Sequence, residues 1–330
     1  MGHLQNGQWT DEEFLVEIDE RGAYNKQPSL FRNWVTTDGS AGPSGTSGFK
    51  AEAGRYVLYA AVSCPWAHRA VLYRIVKKLE DMIALVNTDM EVGGQGWGFG
   101  EAGHKVPGTS HSAIWLHEIY TLSDPDCTTR VTVPTLWDTR TQTVVSNESA
   151  EIIRMFDTAF ADIAPPTPEL YPEELRAEID AMNHFVLENI NNGVNRCGRS
   201  KSQEAYDEAF EKLFEALDAL EERLGRQRYL VGDRITEADW RLYPNLIRFD
   251  PIYFLGYRCN LKRIVDYPNL SNYLRELYQT PGIAEASDID GMKAGTFGKA
   301  GPIGWDGIIP RGPENSLMQP HNRGQLSAAA

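Results

Sequence analysis

The chain has 330 residues and a mass of 37.0 kDa, beyond the ~250 to 300 residues over which a single hydrophobic core keeps growing, so two domains are expected. Its 42% hydrophobic residues, with 8 Trp, 14 Tyr and 12 Phe, supply enough apolar side chain to offset the entropy of ordering and argue against a disordered chain. The 32 Lys and Arg stand against 46 Asp and Glu, a net charge of -14, which is the wrong sign for holding phosphate backbones, so no nucleic-acid partner is expected. No run approaches the ~20 apolar residues that cross a bilayer, and MGHLQNGQWTDEEF lacks a basic segment followed by an apolar one. A soluble, cytoplasmic protein without membrane contact is the expectation. The four cysteines, Cys64, Cys127, Cys197 and Cys259, form neither a disulfide framework nor a CxxC pair.

Residues 1–50 show little periodicity and end in the Gly/Ser run DGSAGPSGTSG, which reads as an N-terminal extension. RYVLYAAV (55–62) reads as a strand, Ser63 as a cap, and Pro65 opens a helix with apolar Val71, Leu72, Ile75, Val76 and Leu79. MIALVN (82–87) gives a second buried strand, so a βαβ unit begins the domain. Residues 88–130 read as a long irregular section around GGQGWGFG. TVPTLWD (132–138) and TQTVVS (141–146) read as a hairpin, followed by a helix beginning near Asn147. The proline-rich PPTPELYP (165–172) marks a boundary, and the chain beyond it reads helical. There Phe210, Leu213, Phe214, Leu217, Leu220 and Leu224 keep helical spacing with Gly225 as a C′ candidate, and Thr236 with Asp239 forms a capping box. From about Lys293 the sequence turns to Gly/Pro coil. The expected division is 1–50 extension, 51–163 α/β domain, 164–290 all-helical domain and 291–330 C-terminal coil.

The chemistry concentrates in Ser63-Cys64-Pro65-Trp66-Ala67-His68-Arg69, where a strand meets a helix. A thiol there faces free backbone N–H groups and the positive end of the helix dipole, which stabilise a thiolate and make Cys64 a candidate nucleophile. Ala67 occupies the place of a resolving cysteine, so a mixed disulfide at Cys64 has to be released by an external small thiol. The competing reading is an inert cysteine in a tight turn. Val133-Pro134, before a strand, is placed to face Cys64 with its backbone if the bond is cis. Glu148-Ser149 opens the next helix, where N–H groups and a hydroxyl can hold a carboxylate; simple capping by Asn147 or Ser146 is the alternative. Gly98 to Gly103 fits GxGxxG without the flanking strand and helix that a dinucleotide site needs, and the 7 histidines show no ligand spacing, so neither nucleotide nor metal is expected. His68 is a candidate for tuning the Cys64 thiolate or for plain packing.

Taken in order, GRYVLYAAVSCPWAHRA, GWGF, TVPTLWD, SNESAEI, RFDPIY and GIIP resemble the Xi-class glutathione transferases, the S-glutathionyl-hydroquinone reductases, over nearly the whole chain. The resemblance implies a thioredoxin-like N-terminal domain, an all-α C-terminal domain, a homodimer, and glutathione as co-substrate. It implies Cys64 as the catalytic residue and glutathione contacts from Trp97, Arg130, the Val133 backbone, Glu148 and Ser149. It also implies an aromatic pocket built on tyrosines, from which this chain departs. Gly193-Val194-Asn195 carries Asn195 where the family has Tyr, FDPIY keeps Tyr253, and Gly295-Thr296-Phe297 keeps the ring at Phe297 without the phenol. Weakened or altered deglutathionylation of glutathionyl-hydroquinones is therefore the expected activity. A ligandin that binds aromatic or polyphenolic compounds is the alternative, and conjugation of electrophiles is disfavoured because a cysteine at this position forms a mixed disulfide with glutathione.

Overall fold

A computed structural model describes residues 2–12, 18–25, 27–90, 94–303 and 306–326. The chain divides into two compact units, Met1–Leu15 with Pro28–Pro168 and Gly298–Gly307, and Val16–Gln27 with Glu169–Phe297 and Ile308–Ala330. Both ends of the chain are thus shared between the units.

The first unit is built on a four-stranded sheet. Strand β3 (Tyr56–Ala60) pairs in parallel with β4 (Ile83–Asn87) through the crossover helix α1 (Pro65–Val76), and on its other edge in antiparallel with β9 (Thr135–Asp138), which pairs with β10 (Thr143–Ser146). Alternation along β3 sends Val57 and Tyr59 into a core shared with Leu116, Ile119 and Tyr120, whereas Tyr56 meets Phe160 edge-on at 6.1 Å. Helix α3 (Ser149–Thr158) packs against α1. At one strand edge the Arg55 guanidinium grips Asp138 at 2.8 and 2.6 Å, with both side chains buried.

Several expectations change here. The extension begins with a hairpin, β1 (His3–Gln5) and β2 (Gln8–Thr10), turning at Asn6 (φ 49) and Gly7 (φ 71), and its Leu4 lies in the core. A Cβ at Gly7 would stand 1.7 Å from the Pro125 carbonyl oxygen, so only glycine fits the turn. The section after residue 88 is not wholly irregular. It holds the short pairs β5 (Asp89–Met90) with β6 (Trp97–Gly98) and β7 (His104–Lys105) with β8 (Ser112–Ala113), then helix α2 (Leu116–Ser123). Glu118 starts α2 by accepting the N–H groups of Ile114 and Trp115 at 2.8 and 2.9 Å. Of the Gly-rich run 93–100, Gly93 lies outside the described residues. The GxGxxG stretch opens no helix: the turn at Gly100–Gly103 leads into β7.

The second unit is helical: α4 (Arg176–Val186), α5 (Asn192–Arg199), α6 (Gln203–Leu224), α7 (Glu237–Arg248), the single turn α8 (Phe254–Gly256), α9 (Pro268–Tyr278) and α10 (Ile289–Phe297). The capping box forms as expected, Asp239 accepting Thr236 N at 2.7 Å, and the buried carboxylate also takes Leu230 N at 3.0 Å and the Tyr273 hydroxyl at 2.6 Å. Gly225 ends α6 in a right-handed conformation (φ -72), so it is not the left-handed C′ glycine expected; its N–H reaches Glu221 and Glu222 carbonyls instead. The coil expected from Lys293 begins only at Gly298, because α10 continues to Phe297. Two π-helical turns, Leu187–Asn191 and Phe249–Tyr253, interrupt the helices before α5 and after α7, a feature frequent at functional sites.

Candidate active site

Cys64, not Ser63, is the N-cap of α1, with extended backbone (φ -87, ψ 117) and Pro65 at the first helical position. Its sulfur stands 3.5 Å from the Ala67 N–H, one of the amides a helix start leaves without an intrahelical acceptor. It is also 3.5 Å from the Val133 carbonyl oxygen. The two contacts serve different protonation states, since a thiol donates to the carbonyl whereas a thiolate accepts from the amide. Cys64 is half-buried and the other three cysteines are buried. Burial, reinforced by Asp124, pushes the Cys127 thiol up to about 11, so the other cysteine of this unit is held as an unreactive thiol. The His68 N–H donates to the Cys64 carbonyl and its side chain is buried, while the buried Arg69 lies 4.5 Å over the Trp66 ring.

The Val133-Pro134 bond is cis, and Val133 is buried beside Cys64. Trp97, on β6, and Cys64 both pack against the same apolar core, and Arg130 is half-buried in the loop that leads to Val133. At the start of α3 neither Asn147 nor Ser146 is the cap. Glu148 caps its own helix, Oε1 accepting Ala150 N at 3.1 Å, and Ser146 serves one step earlier by accepting Glu148 N at 3.1 Å. Ser149 follows at 2% exposure, and its hydroxyl has no hydrogen-bond partner among the described residues. An orphaned hydroxyl at a helix N-terminus suits an anionic group such as a carboxylate.

Sequence reasoning missed Ser29, whose hydroxyl donates to Glu148 Oε2 at 2.9 Å from 119 positions away; no local pattern signals such a contact. It also missed Tyr120 and gave Asn147 only a capping role, whereas each of them bonds Thr132 immediately before Val133.

The three residues expected at an aromatic pocket lie in the second unit. Asn195, in α5, donates to the Asn191 carbonyl at 3.0 Å. Tyr253 ends the second π-helical turn, nearly buried, with its ring edge-on to Tyr257 at 5.1 Å and Phe249 at 6.4 Å. Phe297 is fully buried at the end of α10, which packs on that same turn. Among the described residues no three His, Cys, Asp or Glu side chains gather as metal ligands, and no helix is long and apolar enough to cross a membrane.

The glutathione S-transferase N-terminal domain family model matches residues 63–159 and the C-terminal domain model matches residues 203–276. The chain is 44% identical to the glutathionyl-hydroquinone reductase YqjG of Escherichia coli K12 over 98% of both chains. It is 41% identical to the glutathionyl-hydroquinone reductase PcpF of Sphingobium chlorophenolicum over 96% of this chain and 98% of that one. Among solved structures, glutathione-bound YqjG superimposes with a TM-score of 0.87 at 42% identity, covering 98% of this chain and 99% of that one. A Xi-class transferase from Natrialba magadii gives 0.87 at 40% identity, covering 99% and 98%. Both family models, the likeness along almost the full length, and a half-buried cysteine capping the first helix of a thioredoxin-like unit agree, and the chain belongs to the glutathione S-transferase family, in its Xi class of glutathionyl-hydroquinone reductases.

Proposed function

We propose that this protein removes glutathione from glutathionyl-hydroquinones, using Cys64 as nucleophile and a second glutathione as reductant. The Cys64 thiolate, stabilised by the Ala67 N–H, attacks the sulfur of the conjugate. An S–S bond forms, the S–C(aryl) bond breaks, and the ring carbon keeps the electron pair and takes a proton, leaving as the hydroquinone. The thiolate of a second glutathione then attacks the mixed disulfide, giving glutathione disulfide and returning Cys64. The sum is one conjugate and one glutathione converted into one hydroquinone and one disulfide. No nicotinamide, nucleotide or metal takes part in this scheme. Trp97, Arg130, the Val133 backbone, Glu148 and Ser149 are the proposed glutathione contacts. Asn195, Tyr253 and Phe297 are the proposed aromatic contacts, with the Tyr253 phenol as the hydroxyl among them. A homodimer working in the cytoplasm completes the proposal.

The observation that carries this reading is the placement of Cys64, half-buried at a helix N-terminus with Val133 beside it and every other cysteine buried. Replacement of two pocket phenols by Asn195 and Phe297 favours a slower aromatic step and gives the second reading, an aromatic-binding ligandin with residual catalysis. The test is glutathione-dependent turnover of glutathionyl-menadione beside Cys64→Ser. Turnover lost in the variant is expected. Negligible wild-type turnover, with a Cys64–glutathione adduct still visible by intact mass, would turn the assignment to the ligandin.

A further inference from the structure

Beyond the bridge that pairs Thr129 with Leu4, residues 130–134 run without helix or strand, so no ladder of backbone bonds fixes the Val133 peptide beside Cys64. Side chains do so instead. Tyr120, fully buried in α2, donates its hydroxyl to the Thr132 carbonyl at 2.8 Å and accepts the Thr132 N–H at 3.2 Å, so one phenol holds both backbone groups of the residue before Val133. The Thr135 hydroxyl makes a further bond to that carbonyl at 2.8 Å. The Thr132 hydroxyl in turn accepts from Asn147 Nδ2 at 3.1 Å.

Asn147 precedes Glu148, and it extends the network to the start of α3. Its Oδ1 accepts the Phe31 N–H at 3.0 Å, and its backbone N–H donates to the Phe31 carbonyl at 3.1 Å. Ser29, two residues before Phe31, bonds both the Asn147 carbonyl at 3.2 Å and Glu148 Oε2 at 2.9 Å. The Phe31 ring closes the circuit edge-on to Tyr120 at 5.3 Å. Two pieces of backbone, at Val133 and at Glu148–Ser149, are therefore tied through one chain of polar groups in which Tyr120 and Asn147 are buried and Thr132, Ser29 and Glu148 half-buried.

We propose that Tyr120 and Asn147 are positioning residues for glutathione: through Thr132 they form a brace that holds the Val133 backbone and the Glu148–Ser149 helix start in one register. This inference rests on the glutathione-dependent reading given above. A tripeptide that meets Val133 with its cysteinyl backbone and α3 with its γ-glutamyl end requires both anchors at a fixed separation, and a displacement of about 1 Å at one of them wastes the other. The brace leaves the thiolate's donor alone, because the Ala67 N–H that serves Cys64 belongs to α1, and it touches the cysteine only through the Val133 carbonyl that accepts from the thiol form at 3.5 Å.

The test separates positioning from plain stability. Glutathione affinity is measured by titration calorimetry in the Cys64→Ser background, alkylation of Cys64 by iodoacetamide in the native background, and turnover in parallel. Tyr120→Phe and Thr132→Val should each weaken glutathione binding about tenfold, with Thr132→Ser restoring it. The alkylation rate should stay within about twofold of wild type in all three, as Cys64 keeps its amide donor. Tyr56→Phe is the control, since that buried residue of the same unit donates its hydroxyl to the Lys50 carbonyl at 2.7 Å and takes no part in the brace, and it should leave glutathione affinity unchanged. Wild-type affinity in Tyr120→Phe and Thr132→Val, or an equal loss in Tyr56→Phe, overturns the brace. Should Tyr120→Phe fail to fold, the Thr132→Val and Thr132→Ser pair decides. Wild-type binding without turnover would remove the reductase reading and leave the affinity comparison intact, whereas absence of glutathione binding would overturn both.

Discussion

At the scale of single residues, Ser149 carries the sharpest asymmetry between the empty and the occupied site. A buried hydroxyl without a partner costs about 1–3 kcal/mol relative to one that is satisfied, and the Ser149 hydroxyl is such a group among the described residues. The cost is recovered if a ligand oxygen arrives. Ser149→Ala should therefore keep or slightly raise the melting temperature of the free protein while weakening glutathione about tenfold. Thermal unfolding with and without glutathione checks both halves. A variant that loses stability in the free form but binds normally would assign the hydroxyl to packing. The contrast with Glu148 is instructive. That carboxylate already accepts from Ala150 N and from Ser29, so it is held in place before any ligand binds.

At the scale of elements, the buried pair that joins the start of β3 to the end of β9 sets an acid limit on the first unit. Burial alone would raise the Asp138 carboxyl, but the Arg55 guanidinium, the Thr141 hydroxyl and the Arg140 N–H outweigh it and hold its pKa below the ordinary value. Because the folded value lies below the unfolded one of ~3.9, the unfolded chain binds the proton more readily. The contribution is complete above the unfolded value and is lost as pH falls through the folded one. Asp138→Asn should cost about 3 kcal/mol at neutral pH by leaving the buried Arg55 with only the more exposed Glu52, at 3.4 Å, as counter-charge, and should flatten the loss of stability below pH ~4. Denaturant unfolding at a series of pH values measures both effects; a parallel decline of the two proteins in acid would show that Asp138 does not govern it. The elements themselves were legible where composition and period agreed. The βαβ start, the hairpin at 135–146, α6 and the Thr236–Asp239 box all follow from apolar spacing and caps visible in the sequence. Others were hidden for identifiable reasons. The eight residues of α2 sit inside a Gly-rich, polar stretch, although Leu116, Ile119 and Tyr120 keep helical spacing and Glu118 caps the start. Two glycines, Gly291 and Gly295, each worth about 1 kcal/mol against a helix, concealed the end of α10. The Asn6-Gly7 hairpin turn was a readable signal that went unused. The site divides in the same way: Cys64, Val133 and Glu148-Ser149 are local motifs, whereas Ser29, Tyr120 and Asn147 act through contacts that only the folded backbone creates.

At the scale of the whole molecule, the division into units cuts across the sequence, since Val16–Gln27 and Ile308–Ala330 both belong with the helical residues. A Gly/Pro-rich tail has little apolar surface with which to secure itself, so specific polar anchors have to do so. Arg323 is the strongest of them. It is fully buried, donates to the carbonyls of Leu224, Gln227 and Arg228 at 2.6, 2.7 and 2.5 Å, and lies 5.9 Å over the Tyr273 ring. The bond to Leu224 places a cation on a carbonyl at the C-terminus of α6, where the helix dipole favours positive charge. Gln279 supports the same tail by donating to the Leu317 and Gln319 carbonyls at 2.7 and 2.8 Å. Arg323→Ala strips three carbonyls, that of Leu224 buried and those of Gln227 and Arg228 part-buried, of their donor and leaves the nearby buried Glu276 carboxylate, 3.9 Å away, with less positive charge around it. The expected loss is about 3 kcal/mol, with the tail beyond residue 308 becoming open to limited proteolysis. Gln279→Ala, which removes neutral bonds at a more exposed position, should cost about 1 kcal/mol. Equal stability of the Arg323→Ala and wild-type proteins, together with an unchanged digestion pattern, would mean that the tail is held by its remaining contacts and that the buried guanidinium is dispensable.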